Sequence, residues 1–155
     1  MNKQILQSKA VIRFQDCDPF RHLNNARYVD YMLNGREDQV LQAYGLSIYD
    51  LAIKKQLGWV VSTSQIAFFR PALPFERVVL ESQSFEFSQY NLKVEMRMFD
   101  AERQKLKAFM WMDFVFIDLK TGRVTPHTEE LMSLFETACL ELKEPDFESR
   151  RLALK

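Results

Sequence analysis

Asp16, Asp18, His22, Asn24 and Asn25 crowd into the ten-residue stretch DCDPFRHLNN, between a predicted strand and a predicted helix. A carboxylate beside a helix N-terminus is a compact device for carbonyl chemistry. The helix amides and dipole polarise a carbonyl oxygen. The carboxylate either attacks the carbonyl carbon or activates water against it. Asp18 is the candidate for that role; a carboxylate that merely caps a turn is the plain alternative. Asp16 reads as its structural partner, accepting corner amides. His22 has two readings, a corner hydrogen bond or a direct part in the chemistry. Asn24 and Asn25 read as helix caps, which still leaves the main-chain amide of Asn25 free for catalysis. Cys17 is a poor nucleophile candidate because no base but His22 is near it in sequence.

The elements that must position this corner follow from periodicity. Lys9–Gln15 alternates, with Ala10, Ile12 and Phe14 on one side, which predicts a half-buried strand ended by the Asp-Cys-Asp-Pro corner. A helix is predicted from about Ala26 to Tyr44, with Val29, Met32, Leu33, Val40, Ala43 and Tyr44 as its apolar stripe. Gly35 inside it implies close approach by a strand, and Gly45 is its stop. Ser47–Gln56 reads as a short helix or an irregular connection. Four strands follow: Trp59–Arg70, Arg77–Phe87, Tyr90–Phe99 and Gln104–Asp118. The last is apolar on both faces, with Met110 and Met112 on one and Phe109 and Trp111 on the other, which predicts cover on both sides. Thr125-Pro126 is predicted to open a second helix, with His127 in its first turn and a stripe of Leu131, Leu134, Phe135, Ala138 and Leu142. The charged tail, residues 143–155, is expected to be loosely held. The fold class is α+β: one five-stranded antiparallel sheet wrapped around a long central helix, with a C-terminal helix, all in a single domain. Its open face and exposed edge are expected to be covered by self-association.

Composition narrows the function classes. Lys plus Arg and Asp plus Glu are 21 each, so no global positive field gathers nucleic acid. Cys17 and Cys139 form neither a metal pattern nor a disulfide framework, which points to a reducing, cytoplasmic setting. The start, MNKQILQSKAV, has no long apolar run, so neither a signal peptide nor a membrane span is expected. Ser62, Thr63, Ser64 and Gln65 are polar residues in an apolar strand and are candidates to line a pocket. Arg70, Arg77, Lys93, Arg97, Arg103, Lys105 and Lys107 are candidates to meet phosphates, against the plainer reading of a solvated strand face.

With these residues in view, the chain resembles the hotdog-fold thioesterases, in particular the 4-hydroxybenzoyl-CoA and short-chain acyl-CoA thioesterase branch. That family carries a pattern close to D-x-D-x-x-G-H-x-x-N-x-x-Y followed by a helix ending in Arg. Asp16, Asp18, His22, Asn25, Tyr28 and Arg36 match it here. Phe68-Phe69-Arg70-Pro71-Ala72 resembles the family's Y-x-x-P-A strand ending. The resemblance implies a hotdog fold and Asp18 as the catalytic carboxylate. It implies that the Asn25 amide polarises a thioester carbonyl, and that His22 and Asn25 shape the pocket or hold water. Asp16, Asn24, Tyr28, Ser62, Thr63, Ser64 and Arg70 are carried as substrate-binding candidates. The implied reaction is water cleavage of acyl-CoA or acyl-carrier-protein thioesters, with no metal and no redox cofactor, at an interface of a homodimer or homotetramer. Non-catalytic acyl-thioester binding and a dehydratase or hydratase reaction are the alternatives. Two departures stand out: Arg21 replaces the family glycine before His22, and Leu33 replaces an acid often found three residues before the helix Arg.

Overall fold

A computed structural model describes residues 3–155; Met1 and Asn2 of the polar N-terminal stretch lie outside the described residues. Five antiparallel strands run in the order β1-β3-β4-β5-β2. They are β1 Leu6–Val11, β2 Leu57–Phe68, β3 Arg77–Phe87, β4 Asn91–Asp100 and β5 Leu106–Asp118, while the two-residue β6, Arg123–Val124, pairs with the end of β5. The first strand sits earlier than the alternation predicts. Its ladder with β3 runs from Leu6↔Ser82 to Val11↔Arg77. Beyond it the Arg13 N–H donates to the Tyr31 hydroxyl at 2.9 Å, and Phe14–Asp16 turns as a 3₁₀ helix.

The sheet curls around α1, Tyr28–Tyr44, which is preceded by a 3₁₀ turn over Asn25–Arg27. Every second residue of β4 and β5 faces it. Met96, Met98, Ala108 and Met110 are at most 1% exposed and pack in one core with Tyr28 and Met32. Gly35 lies where a side chain would collide: a Cβ there would stand 2.8 Å from Leu80 Cδ1. Gly45 ends α1 with φ +67°, its N–H donating back to Leu41. The connection after it is a short helix, α2 Ile48–Asp50, capped by Ser47 and continued by a π-helical turn over Leu51–Lys55.

The C-terminal third corrects three expectations. The second long helix, α3 Glu129–Ala138, starts after its cap Thr128, so Pro126 and His127 precede it and Leu142 lies beyond its end. His127 is a core residue instead. Its Nε2 accepts from Trp59 Nε1 at 3.0 Å, and its Nδ1–H donates to the Ser88 carbonyl at 3.0 Å. The tail is held, not loose. Residues Phe147–Leu154 form α4, capped by Asp146, and Phe147 stacks on Phe109 at 4.7 Å and meets Trp111 at 5.6 Å. This helix covers the part of the outer face around Phe109 and Trp111, which supplies the second cover expected for β5 there.

Under α4 lies a network of charges that alternation assigns to water. Glu95 and Glu81 have side chains 0% and 1% exposed. Glu95 is bonded by Arg97, Arg150 and Trp111, and Glu81 by Arg97, Arg103 and Gln7. Burial alone would push both carboxyls up; the surrounding guanidinium and amide donors reverse that and hold both below the usual carboxylate range.

Candidate active site

The corner predicted from DCDPFRHLNN folds as a tight lasso. The Asp18 N–H donates to the His22 carbonyl at 2.9 Å, and the Arg21 N–H returns to the Asp18 carbonyl at 3.0 Å. Closing this turn requires φ +65° at Arg21, a left-handed conformation that favours glycine. Arg21 therefore keeps the backbone shape for which the family glycine is suited, at a cost of about 1–2 kcal/mol for an L-residue. Asp18 is half-buried. Its Oδ1 accepts from the Phe20 N–H at 2.9 Å and the His22 N–H at 3.3 Å. These two bonds orient the carboxylate, and among the described residues no donor engages its Oδ2.

Leu23 is anchored to the next wall by its N–H, which donates to the Ala72 carbonyl at 2.8 Å. Asn24 then caps the helical turn, its Oδ1 accepting from the Ala26 N–H at 2.9 Å. The cap is thus Asn24, and the Asn25 N–H, the first of the helical turn, meets no acceptor among the described residues. Asp18, His22, Asn25, Tyr28 and Arg70 line one recess of about 210 Å³, with Leu23, Phe68, Phe69 and Pro71 as its apolar walls. The Tyr28 hydroxyl accepts from the Ala72 N–H at 3.1 Å, and its ring meets Phe68 edge-on at 5.1 Å. Burial pushes this phenol up, against the opposing bond from Ala72. It is therefore neutral near pH 7. His22 is exposed at the rim, and the Arg70 guanidinium donates to the Leu106 carbonyl at 3.1 Å.

Other predicted site residues go elsewhere. The Asp16 carboxylate accepts the Tyr31 hydroxyl at 2.5 Å, bracing α1 against the corner; it accepts no corner amide with its side chain. Ser62 sits at a register shift between Val61 and Thr63 and donates to the Asp113 carbonyl at 3.0 Å. Thr63 and Ser64 are exposed on β2, which is an edge of the sheet; none of these three lines the Asp18 recess. Among the basic residues considered for phosphate, Arg97 and Arg103 are committed to buried glutamates, and Lys107 pairs with Glu76 at 2.9 Å. Lys93 pairs with Glu86 at 2.7 Å. The Cys17 thiol is pushed up by burial and then by Asp16 and Asp18, which leaves it a protonated, weak nucleophile.

The walls Phe68 and Phe69 belong to the stretch that resembles the family's strand ending, but nothing in the alternation says that this end returns to the corner. The arrangement offers an oriented carboxylate with one open oxygen, an unengaged helix-start amide and apolar walls. Such a set can attack or hydrate an activated carbonyl and hold the developing oxyanion.

Similar solved structures share the curled sheet and central helix. The 1,4-dihydroxy-2-naphthoyl-CoA thioesterase from Synechocystis superposes with TM-score 0.75 at 16% identity, over 84% of this chain and 94% of that one. The probable thioesterase YbaW from Escherichia coli gives 0.73 at 22% identity, over 87% and 99%. The DHNA-CoA thioesterase from Staphylococcus aureus gives 0.77 at 15%, over 97% and 92%. These likenesses identify the hotdog fold. Comparison with curated proteins gives no significant match. The model of the thioesterase-like superfamily matches residues 12–135, a span that holds the Asp18 corner, the central helix and every long strand after it, and the chain belongs to that superfamily.

Proposed function

We propose that this protein hydrolyses an acyl thioester, carried by coenzyme A or an acyl carrier protein, to the free acid and thiol. The observation that carries the reading is the pairing of Asp18 with the Asn25 amide in one recess, the carboxylate braced through Oδ1 and open at Oδ2. With the carbonyl oxygen at the Asn25 N–H, Oδ2 either attacks the carbonyl carbon or removes a proton from an attacking water. In the first case a mixed anhydride forms, the thiolate leaves and water then cleaves the anhydride. Each oxyanion donor is worth about 10²-fold or more in rate.

Aromatic walls from Tyr28, Phe68 and Phe69 suit an aromatic or short apolar acyl group, and two similar structures are thioesterases of 1,4-dihydroxy-2-naphthoyl-CoA (DHNA-CoA). Arg70 at the rim is the candidate to meet coenzyme A phosphates. A volume of about 210 Å³ falls below the ~300 Å³ of ordinary ligand pockets. A second copy would complete the wall. The outer edge of β2, with Val60 and Val61 44% and 47% exposed, is the surface for it.

Thiol release from a panel of aryl- and alkyl-CoA substrates tests the reading. Asp18→Asn keeps the Oδ1 acceptor and hence the corner, and should lower kcat by at least ~10². Full activity in that variant defeats the assignment.

A further inference from the structure

Two segments are tied together at the end of the sheet that holds the Asp18 corner, residues 12–22 and residues 69–77. The Phe75 N–H donates to the Ile12 carbonyl at 2.8 Å, and Leu23, just past the first segment, is bonded to Ala72. The tips of these segments are apolar and stand in water. Phe14, Phe20 and Phe75 are 69%, 79% and 71% exposed, and Leu73 is exposed beside them in sequence. The Phe14 and Phe75 rings stack at 6.3 Å, so they form one raised patch and not two scattered residues. Phe75 also has φ +68°, the second left-handed residue at this end after Arg21. A bulky side chain is an outlier there, where glycine or asparagine would close the same turn without strain. A strained backbone under an exposed ring disfavours the free molecule twice, and such features mark surfaces that meet something else.

The charges around the rings have one sign. Every exposed charged residue on the two segments is an arginine: Arg13, Arg21, Arg70 and Arg77. The three acids, Asp16, Asp18 and Glu76, are half-buried, and each is engaged, by the Tyr31 hydroxyl, by the Phe20 and His22 amides, and by Lys107. Among the described residues none of the four arginines enters an ion pair. A chain with 21 bases and 21 acids thus has one end that is aromatic and basic. We propose that this end docks on an anionic lipid surface, with Phe14, Phe20 and Phe75 in the headgroup boundary and Arg13, Arg21 and Arg77 on lipid phosphates. Rings that project from separate loop tips suit a yielding lipid surface, whereas a protein partner requires a matched, continuous face. No helix among the described residues is long and apolar enough to cross a membrane, so the contact is peripheral. The Asp18 recess is lined by Arg70 and Pro71 of the same segment, so docking brings its mouth toward the lipid. The inference does not rest on the hydrolytic reading, since it is read out by binding alone.

Co-sedimentation of the full chain with vesicles tests it, using phosphatidylcholine alone and phosphatidylcholine mixed with phosphatidylglycerol. The mixed vesicles should bind at least ~10-fold more tightly, and added salt should weaken that binding. Phe75→Asn removes the ring while suiting the left-handed backbone, and should reduce binding to the mixed vesicles at least ~10-fold. Phe20→Ser is an independent arm at another tip, since only the main-chain N–H of Phe20 serves the corner, and it should act in the same direction. Arg13→Gln with Arg77→Gln should narrow the gap between the two vesicle types. No binding to the mixed vesicles, equal binding to both types, or undiminished binding in a folded Phe75→Asn or Phe20→Ser protein overturns the proposal. So does a dimer in sedimentation velocity that Phe75→Asn breaks while vesicle binding persists, which would assign the face to a second copy.

Discussion

Replacing Arg150 by Met tests whether α4 is a working part of the fold. Arg150 donates to Glu95 through Nε at 2.8 Å and through a terminal nitrogen at 2.7 Å. Its side chain is 16% exposed and that of Glu95 is 0% exposed, so solvent screens this pair little. Removing one partner of a buried ion pair costs about 3–5 kcal/mol. Glu95 keeps Arg97 and Trp111, and Met preserves the packing of the stem, so the low end, ~3 kcal/mol, applies. For a chain of this length ~3 kcal/mol lowers Tm by roughly 6–12 °C. The assay is thermal and urea unfolding followed by tryptophan fluorescence, with Trp111 inside the network. The effect also has a definite pH signature. The folded pKa of Glu95 lies below its unfolded value, so its contribution is complete above ~4.3 and disappears as pH falls through the folded value. Without Arg150 the folded pKa rises toward the unfolded one, so the loss is smaller and ends at a higher pH, and the gap between the two proteins closes in acid. A Tm change under ~1 °C, or a gap constant from about pH 7 to pH 3, refutes the reasoning.

Three further outcomes follow from single features. Burial depresses His127, against the opposing bonds to Ser88 and Gln89; the unfolded chain then binds more protons, so stability falls on acidification below ~6.5, and His127→Gln should flatten that limb in a pH series of urea midpoints. Gly35→Ala should lower stability by about 1 kcal/mol, because overpacking against Leu80 outweighs the ~1 kcal/mol of helix propensity that Ala returns; an unchanged or higher midpoint would contradict the close approach. Arg21→Gly relieves a left-handed residue and should raise stability by up to about 1 kcal/mol, the strain relieved exceeding the entropy cost of glycine; a drop of more than ~0.5 kcal/mol in denaturant unfolding would rule out strain there.

Much of the site was legible because its signals are local. A turn of a few residues must carry its own hydrogen-bond partners, so Asp18, Asn24 and Pro19 mark the corner directly. Two departures from the family pattern resolve differently in space. Arg21 adopts a backbone that suits glycine, so the turn still closes. Leu33 lies on an apolar cavity between α1, α3 and the sheet, and Arg36 on the same wall donates to the Ser82 and Ser84 hydroxyls. Neither outcome can be read from residue type, because backbone angle and cavity depend on what packs around them.

The chain by itself determined the strand order in sequence, the long helix and its glycine contact, and the polar corner, since each rests on period, turn chemistry or steric exclusion within a few residues. Tertiary structure alone decided where the ends of those elements meet. It returned Phe68 to the corner, buried Glu95 and Arg97 that alternation assigns to water, and turned a charged tail into the helix that covers them. Those outcomes depend on contacts between residues distant in sequence, such as Arg150 and Glu95, whose mutual compensation is invisible until the sheet brings them together.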